Sequence, residues 1–272
     1  MAGRVKKYFI FAKSGIQTTL AYRGMIGLWF FGGIVNAVVL CLLWWAVFSF
    51  SPESAIAGYT FPQMLLYVMM STIVGEMTYS DTMGLIGDDV RDGVIGMRLM
   101  KPVNYRAQLG FTNIGAFAAR VIMIGLPMTI VATLICVFGF GLTGIMWYNV
   151  LLFIPALILA VLFADTLGFL FGQLAFRTQA MFGVHSIMNV LTGFLSGALV
   201  PLALFPLWAQ NVLAFTPFPS MLSLPVQIFM GKISLADMGV SFAISVAWLL
   251  VLNIVGELCY RGSVRHVVVF GG

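Results

Sequence analysis

Hydrophobic positions in this chain run in long blocks separated by short polar punctuation. Gly24 to Phe48 extends for 25 residues without a charged side chain. A hydrocarbon core about 30 Å thick is crossed by roughly 20 helical residues, so this block predicts a membrane-spanning helix. Five more blocks follow, at Thr60–Gly87, Ala107–Phe138, Ile145–Phe176, Gln179–Leu199 and Asp237–Cys259. Several exceed the minimum length, which allows tilt or extension into the cytoplasm. The pattern predicts an all-α membrane protein with six transmembrane helices in one transmembrane domain, residues 1–272.

Two segments depart from the block pattern. Before the first span, Val5, Tyr8, Phe9, Ala12, Ile16 and Leu20 share one face at helical spacing, with Lys6, Lys7, Ser14, Gln17 and Thr18 opposite. Residues 1–23 therefore predict a cytoplasmic amphipathic elbow helix lying in the headgroup plane. It serves either as a topology anchor or as an elbow that transmits motion to the first span. Lys13 interrupts any signal-peptide core, so an uncleaved anchor is expected. Between the fifth and sixth spans, residues 200–236 hold Pro201, Pro206, Pro217, Pro219 and Pro225, half of the ten prolines, yet stay apolar. Broken apolar backbone of this kind predicts re-entrant short helices on the outer side, sheltered by protein or a water-filled cavity. A plain interfacial loop anchored by Trp208 is the simpler alternative. Gly168/Gly172 and Gly193/Gly197 each place two glycines on one helix face, where helices can approach closely.

Composition sharpens this picture. Hydrophobic residues make up 61% of the chain and charged residues 8%, whereas a soluble domain carries about 25% charged residues. Of the 14 Lys and Arg, 12 fall on the side of the N-terminus, of the loops after the second and fourth predicted spans, and of the C-terminus. Lys232 lies on the other side, and Arg120 lies inside the third span. The positive-inside rule places both termini in the cytoplasm, and an even number of spans agrees. The net charge of +5 then reflects topology and anionic membrane lipids rather than nucleic-acid binding. Cys41, Cys136 and Cys259 have neither disulfide nor zinc spacing and are expected to pack inertly.

Candidate chemistry concentrates in the cytoplasmic loop 88–106, where seven of 19 residues are charged. Asp88, Asp89, Arg91, Asp92, Arg98 and Lys101 alternate with an apolar stripe of Val90, Val94, Met97 and Met100. Topology requires only the basic residues. The aspartates and the stripe suit docking into a groove on a soluble partner. Inside the spans lie Glu76, Asp81, Arg120, Asp165 and His185. Charges at this depth are costly and face a bundle interior or a cavity. Asp165 is expected to pair with Arg120, as a structural ion pair or as part of a transport path, and Glu76 is a candidate for a pathway-facing charge. No catalytic nucleophile–base pair and no metal-ligand spacing stands out.

The loop pattern Asp-x-Arg-x-Gly-x-Ile-x-x-x-Leu-x-Lys-Pro, Asp89 to Pro102, resembles that of type-2 ATP-binding-cassette (ABC) exporter permeases, and more narrowly the small six-span bacterial permeases of drug and antibiotic export. Ser196–Pro201, Pro206-Leu207-Trp208 and Thr216-Pro217-Phe218 are similar to that family's outer re-entrant segment, and Tyr260–Arg265 with Gly271-Gly272 to its basic tail. His266–Val269 is more apolar than the family tail. The resemblance implies a non-enzymatic subunit in the bacterial inner membrane. It would move an amphipathic or hydrophobic substrate outward beside a second, identical or similar, permease subunit. ABC ATPase subunits holding ATP and Mg would dock on the 88–106 loop. The chain has no Gly-x-x-x-x-Gly-Lys-Ser/Thr phosphate loop, so no bound cofactor is expected in it. Two other classes remain open: a stand-alone ion- or proton-coupled transporter using Glu76, Asp81, Arg120 and Asp165, and a membrane anchor for a soluble enzyme.

Overall fold

The computed structural model describes residues 2–142, 144–178 and 181–264, with side chains from Lys7 onward. The predicted start of the fifth span at Gln179 and the tail from Arg265 lie outside the described residues. Among the described residues, the regular structure is helical apart from one small hairpin. Helix α1 (Ala2–Ala21) is followed after a break at Tyr22 by α2 (Arg23–Phe50). Strands β1 (Ala55–Ile56) and β2 (Tyr59–Thr60) pair antiparallel around Ala57 and Gly58, which both take positive φ. Helix α3 (Phe61–Thr78) starts at a capping box in which the Thr60 N–H donates to Gln63 Oε1 at 3.1 Å. Two short helices follow, α4 (Thr82–Arg91) and α5 (Ile95–Leu99).

Helix α6 (Tyr105–Arg120) continues through a π turn into α7 (Leu126–Leu134) and a second π turn, making one 35-residue apolar rod to Gly139. Helix α8 (Trp147–Gly172) continues as a 3-10 turn to Phe176. Its interior Pro155 removes one backbone hydrogen bond. Helix α9 (Met181–Leu195) leads to a run of short pieces that includes α10 (Leu207–Ala214) and α11 (Ser223–Phe229), and α12 (Leu235–Val264) closes the described chain.

Among the described residues, four helical rods are long and apolar enough to cross a membrane: Arg23–Phe50, Tyr105–Gly139, Trp147–Phe176 and Leu235–Val264. They coincide with the first, third, fourth and sixth predicted spans. The second predicted span is not one helix. Tyr79 turns the backbone to φ −50, ψ 134, and the Ser80 hydroxyl accepts from the Thr82 N–H at 3.4 Å, so the segment splits into α3 and α4. The fifth reduces to the 15-residue α9.

The main core surrounds α3, whose Met64, Leu66, Tyr67, Met70 and Val74 are completely enclosed, together with Cys136 and Val226. A second core of Ile86, Ile95, Tyr105, Leu109 and Phe169 lies where α4, α5, α6 and α8 meet. The proline-rich stretch divides by depth. Val226 and Ile228 of α11 are fully buried, whereas Leu207 and Trp208 of α10 are exposed. Lys232 closes this end: its Nζ donates to the Gly58 carbonyl at 2.6 Å and stands 4.8 Å from the Tyr59 ring centre. Desolvation there pulls the Lys232 ammonium below its ordinary pKa.

The amphipathic reading of α1 is refined. Tyr8, Ala12, Gly15 and Thr19 face inward, along α6, while Phe9, Ile16 and Leu20 stay exposed. The predicted apolar stripe thus contains two faces, one of mostly small residues for helix contact and one of bulky residues left open. Gly168 and Gly172 do form a contact face: a Cβ at 168 would lie 3.2 Å from Thr82 Cβ, and one at 172 would lie 3.2 Å from Met83 Cα, both on α4. Gly193 meets nothing within 4 Å, and Gly197 instead serves a turn with φ +85.

Candidate functional site

The segment between α4 and α6 folds back on itself instead of projecting as a loose loop. Gly93 takes φ 70, which lets the chain turn tightly between α4 and α5. The turn brings Arg98 back over α4, where its Nε lies 2.7 Å from Asp89 Oδ2. That distance makes an ion pair, although the N–H is not aimed for a hydrogen bond. The Tyr105 hydroxyl donates to the same Asp89 oxygen at 2.7 Å. Asp89 is 6% exposed, and a carboxylate so enclosed requires such partners. Of the six predicted docking residues, Asp89 and Arg98 therefore hold the segment together, and Asp89 presents no surface to a partner.

The other four lie on the outside. Arg91 bridges Asp88 and Asp92, at 3.0 Å each. The hydrogen bond to Asp92, with the charges of Asp92 and Asp88, pushes the Arg91 pKa above its ordinary value. Exposed pairs of this kind add little stability, but they fix the pattern of charge on the surface. Lys101 is exposed, and Met97 and Met100 are 58% and 79% exposed. Val90 packs instead into the second core. The apolar stripe is thus shared, with its valine end partly buried and its methionine end outward.

Helix α1 grips the exit of this segment. Lys7 Nζ donates to the Pro102 carbonyl at 2.8 Å. The Asn104 N–H donates to Tyr8 Oη at 3.0 Å, and the Tyr8 ring stacks on Phe111 with centres 5.4 Å apart. Asn104 in turn caps α6, accepting from the Ala107 N–H at 2.9 Å. A groove of about 420 Å³ lies between α4 and the start of α9, lined by Gly84, Gly87, Arg91, Phe176, Arg177 and His185 among others.

Deeper in the bundle, a polar cluster surrounds Asp165 on α8, which is 8% exposed. The Thr82 hydroxyl donates to Asp165 Oδ1 at 2.6 Å, and Asn113 Nδ2 donates to the same oxygen at 2.7 Å. Asn113 also meets the Thr82 hydroxyl. Arg106 Nη2 lies 3.9 Å from Asp165 Oδ2, donates to Thr166 Oγ1 at 3.1 Å and to Asn253 Oδ1 at 2.9 Å, and its guanidinium stacks 4.0 Å above the Phe169 ring. The expected Asp165–Arg120 pair does not form. Arg106 at the start of α6 reaches Asp165 first. Arg120, almost four turns along the same helix, lies 5.5 Å from the Tyr79 ring centre and interacts electrostatically with Glu76 and Asp81. Glu76 is half-buried and also faces Gly33 of α2. His185 interacts electrostatically with Asp81.

Arg106, Thr82, Asn113, Thr166 and Asn253 were not singled out by sequence. One signal was available: Arg106 and Asn113 are seven residues apart, on one face of α6. Among the described residues, no group of three or more His, Cys, Asp or Glu could hold a metal ion.

These features are a membrane bundle, a folded charged segment at one end, and a broken apolar segment near the far ends of its rods. Comparison with curated proteins returns no significant match. A family profile described as ABC-2 family transporter protein matches residues 34–269, a range that takes in most of the first rod, the other three rods, the charged segment and the Asp165 cluster. The chain is a multi-pass membrane permease of an ABC transporter and belongs to the ABC-2 transporter family.

Proposed function

We propose that this permease is the membrane half of an ATP-driven exporter of amphipathic or hydrophobic substrates, powered by separate ATPase subunits that dock on the segment from Asp88 to Arg106. The supporting observation is the internal ion pair of Asp89 with Arg98. It stiffens the segment into a small body that offers Met97, Met100, Lys101 and the Asp88–Arg91–Asp92 triplet to the outside. A stiff body with two exposed methionines and fixed charges can receive a push, which a loose loop would absorb. Methionine suits such a contact because it adapts to the surface it meets.

In this reading the chain crosses the bacterial inner membrane six times with both termini inside. Helix α3 has 18 residues and α9 has 15, or about 27 Å and 22 Å at 1.5 Å per residue. Both fall short of the hydrocarbon core, and neighbouring polar turns or local thinning would make up the difference. The stretch 200–236 forms the outer re-entrant hairpin, α1 is the elbow, and a second permease subunit completes the pathway.

The test is co-purification of the chain with its ATPase, followed by ATP-dependent transport in vesicles. Met97→Glu with Met100→Glu, and charge reversal at Asp88, Arg91 and Asp92, are expected to abolish association. Normal binding and turnover by these variants would overturn the docking assignment. Transport by the purified chain alone, driven by an ion gradient, would replace the whole reading.

A further inference from the structure

We infer that Asp165 is the positioning residue through which displacement of the charged segment reaches the far end of the bundle. The inference rests on the proposed function, because it needs a driven segment. It goes beyond docking by naming where the drive enters the membrane domain.

The geometry has two parts. First, both ends of the segment converge on one carboxylate. Thr82, the first residue of α4, donates to Asp165 Oδ1 at 2.6 Å. Arg106, in the first turn of α6, lies 3.9 Å from Asp165 Oδ2 and holds the adjacent Thr166 at 3.1 Å. Everything between these residues, α5 included, forms a loop closed on α8. A push on the loop cannot move one end without straining a bond to Asp165. The packing around these bonds leaves no slack: Thr82 is fully buried, and Gly168 leaves only 3.2 Å between its added Cβ and Thr82 Cβ.

Second, α8 continues from this point to the proline-rich segment. Phe153 lies twelve residues earlier on the same helix, about 18 Å away at 1.5 Å per residue. Its ring meets Phe229 of α11 edge-on at 5.2 Å. Ala156 of α8, fully buried, packs with Leu224 and Ile228 of α11. Helix α8 thus has the charged segment fastened to one end and α11 fastened to the other. Close-packed interfaces of this kind shift between discrete arrangements and deform little.

The experiment uses the complete permease–ATPase complex in nanodiscs, with Cys41, Cys136 and Cys259 replaced to give a labelling background. Spin labels at I10C, on the helix that holds residues 102–104, and at F182C report on the cytoplasmic side. Labels at F50C and L207C report on the far side. All four positions are exposed. The probe is ATP with magnesium and vanadate. In the parent protein both label pairs are expected to change distance on trapping. In D165A, and in the volume-conserving T82V, the cytoplasmic pair is expected to respond while the far pair loses its shift. D165N keeps an acceptor for Thr82 and Asn113, and is expected to retain part of the far-side shift.

A far-side response of parental size in T82V and D165A overturns the inference. If D165A does not accumulate, T82V decides by the same criterion. If neither pair responds in the parent, the ATP-driven reading itself fails and the inference falls with it. That outcome is distinct from a parent that responds on both sides and variants that do so equally.

Discussion

Gly115 on α6 sits against the backbone of Ala12 on α1 so closely that a Cβ at position 115 would overlap the Ala12 carbonyl. Gly15 stands in the same relation to the carbonyl of Thr112. Two reciprocal glycines therefore set the distance between α1 and α6, and with it the reach of Lys7 and Tyr8 to residues 102–104. Forcing a side chain into a filled contact costs about 1–3 kcal/mol, and more when backbone must move. Gly115→Val is expected to lower the thermal midpoint of the purified protein and to free α1 for proteolysis. Gly27→Ala, which meets nothing within 4 Å, is the matched control and is expected to be neutral or slightly stabilising, since Gly costs up to about 1 kcal/mol in a helix.

The Tyr105 hydroxyl is one of two groups that satisfy Asp89. Removing it leaves an enclosed carboxylate with Arg98 alone, at a cost of about 1–3 kcal/mol. Tyr105→Phe is expected to raise hydrogen exchange of amides between Val90 and Met100 while leaving α3 and α8 protected. The exposed surface is unchanged in this variant. Weaker ATPase association would therefore report loss of stiffness, and unchanged association with faster exchange would show that docking tolerates a loose segment.

Arg106 lies at the crossing of three interactions, and magnitudes rank them. Removing one member of a buried ion pair costs about 3–5 kcal/mol because the remaining charge stays enclosed, and stacking on Phe169 adds about 0.5–2 kcal/mol. Single hydrogen bonds inside membranes average about 0.6 kcal/mol. The charge should dominate. Arg106→Met is expected to be strongly destabilising, and adding Asp165→Asn should recover part of the loss. A double-mutant cycle on unfolding midpoints measures this coupling. Additive effects would mean that the 3.9 Å separation carries no ion-pair energy.

Much of this architecture is legible in the residue pattern. Continuous apolar runs locate the four long rods within a few residues, because a helix satisfies its own backbone hydrogen bonds where no water reaches. Tyr79–Asp81 is harder to read. The apolar run passes through it, and the break depends on local backbone geometry and a serine hydroxyl. The small-residue face of α1 is hidden for a related reason: Gly15 and Ala12 read as weakly apolar until a partner helix is present. Pairing in the bundle is the least legible of all. Asp165 and Arg120 are the evident opposite charges at depth. Arg106 counts in a linear reading as a loop cation, and only the packing of α6 on α8 carries its long side chain inward to Asp165. The same limit applies to Asp89, whose charged neighbours in sequence are exposed while its own side chain turns to Tyr105.

Two similar glycine pairs test how far sequence spacing can stand in for structure. Gly168 lies under Thr82 and Met83 of α4, at 3.2 Å and 3.4 Å from an added Cβ, and the contacted atoms are a Cβ and a backbone nitrogen that cannot swing aside. Gly193 faces open space. Gly168→Val should push α4 away from α8 and lengthen the Thr82–Asp165 hydrogen bond, so stability and ATP-driven transport should fall together. The loss should follow the overpacking range of about 1–3 kcal/mol. Gly193→Val carries only the small helix-propensity difference of a β-branched residue, a few tenths of a kcal/mol in favour of Val over Gly. It should fold and assemble normally unless another subunit covers this face. Concentration-dependent assembly of the Gly193→Val protein, followed by analytical ultracentrifugation in detergent, separates these cases. Impaired assembly with unchanged monomer stability would place Gly193 at a subunit seam, whereas normal assembly would leave it facing lipid.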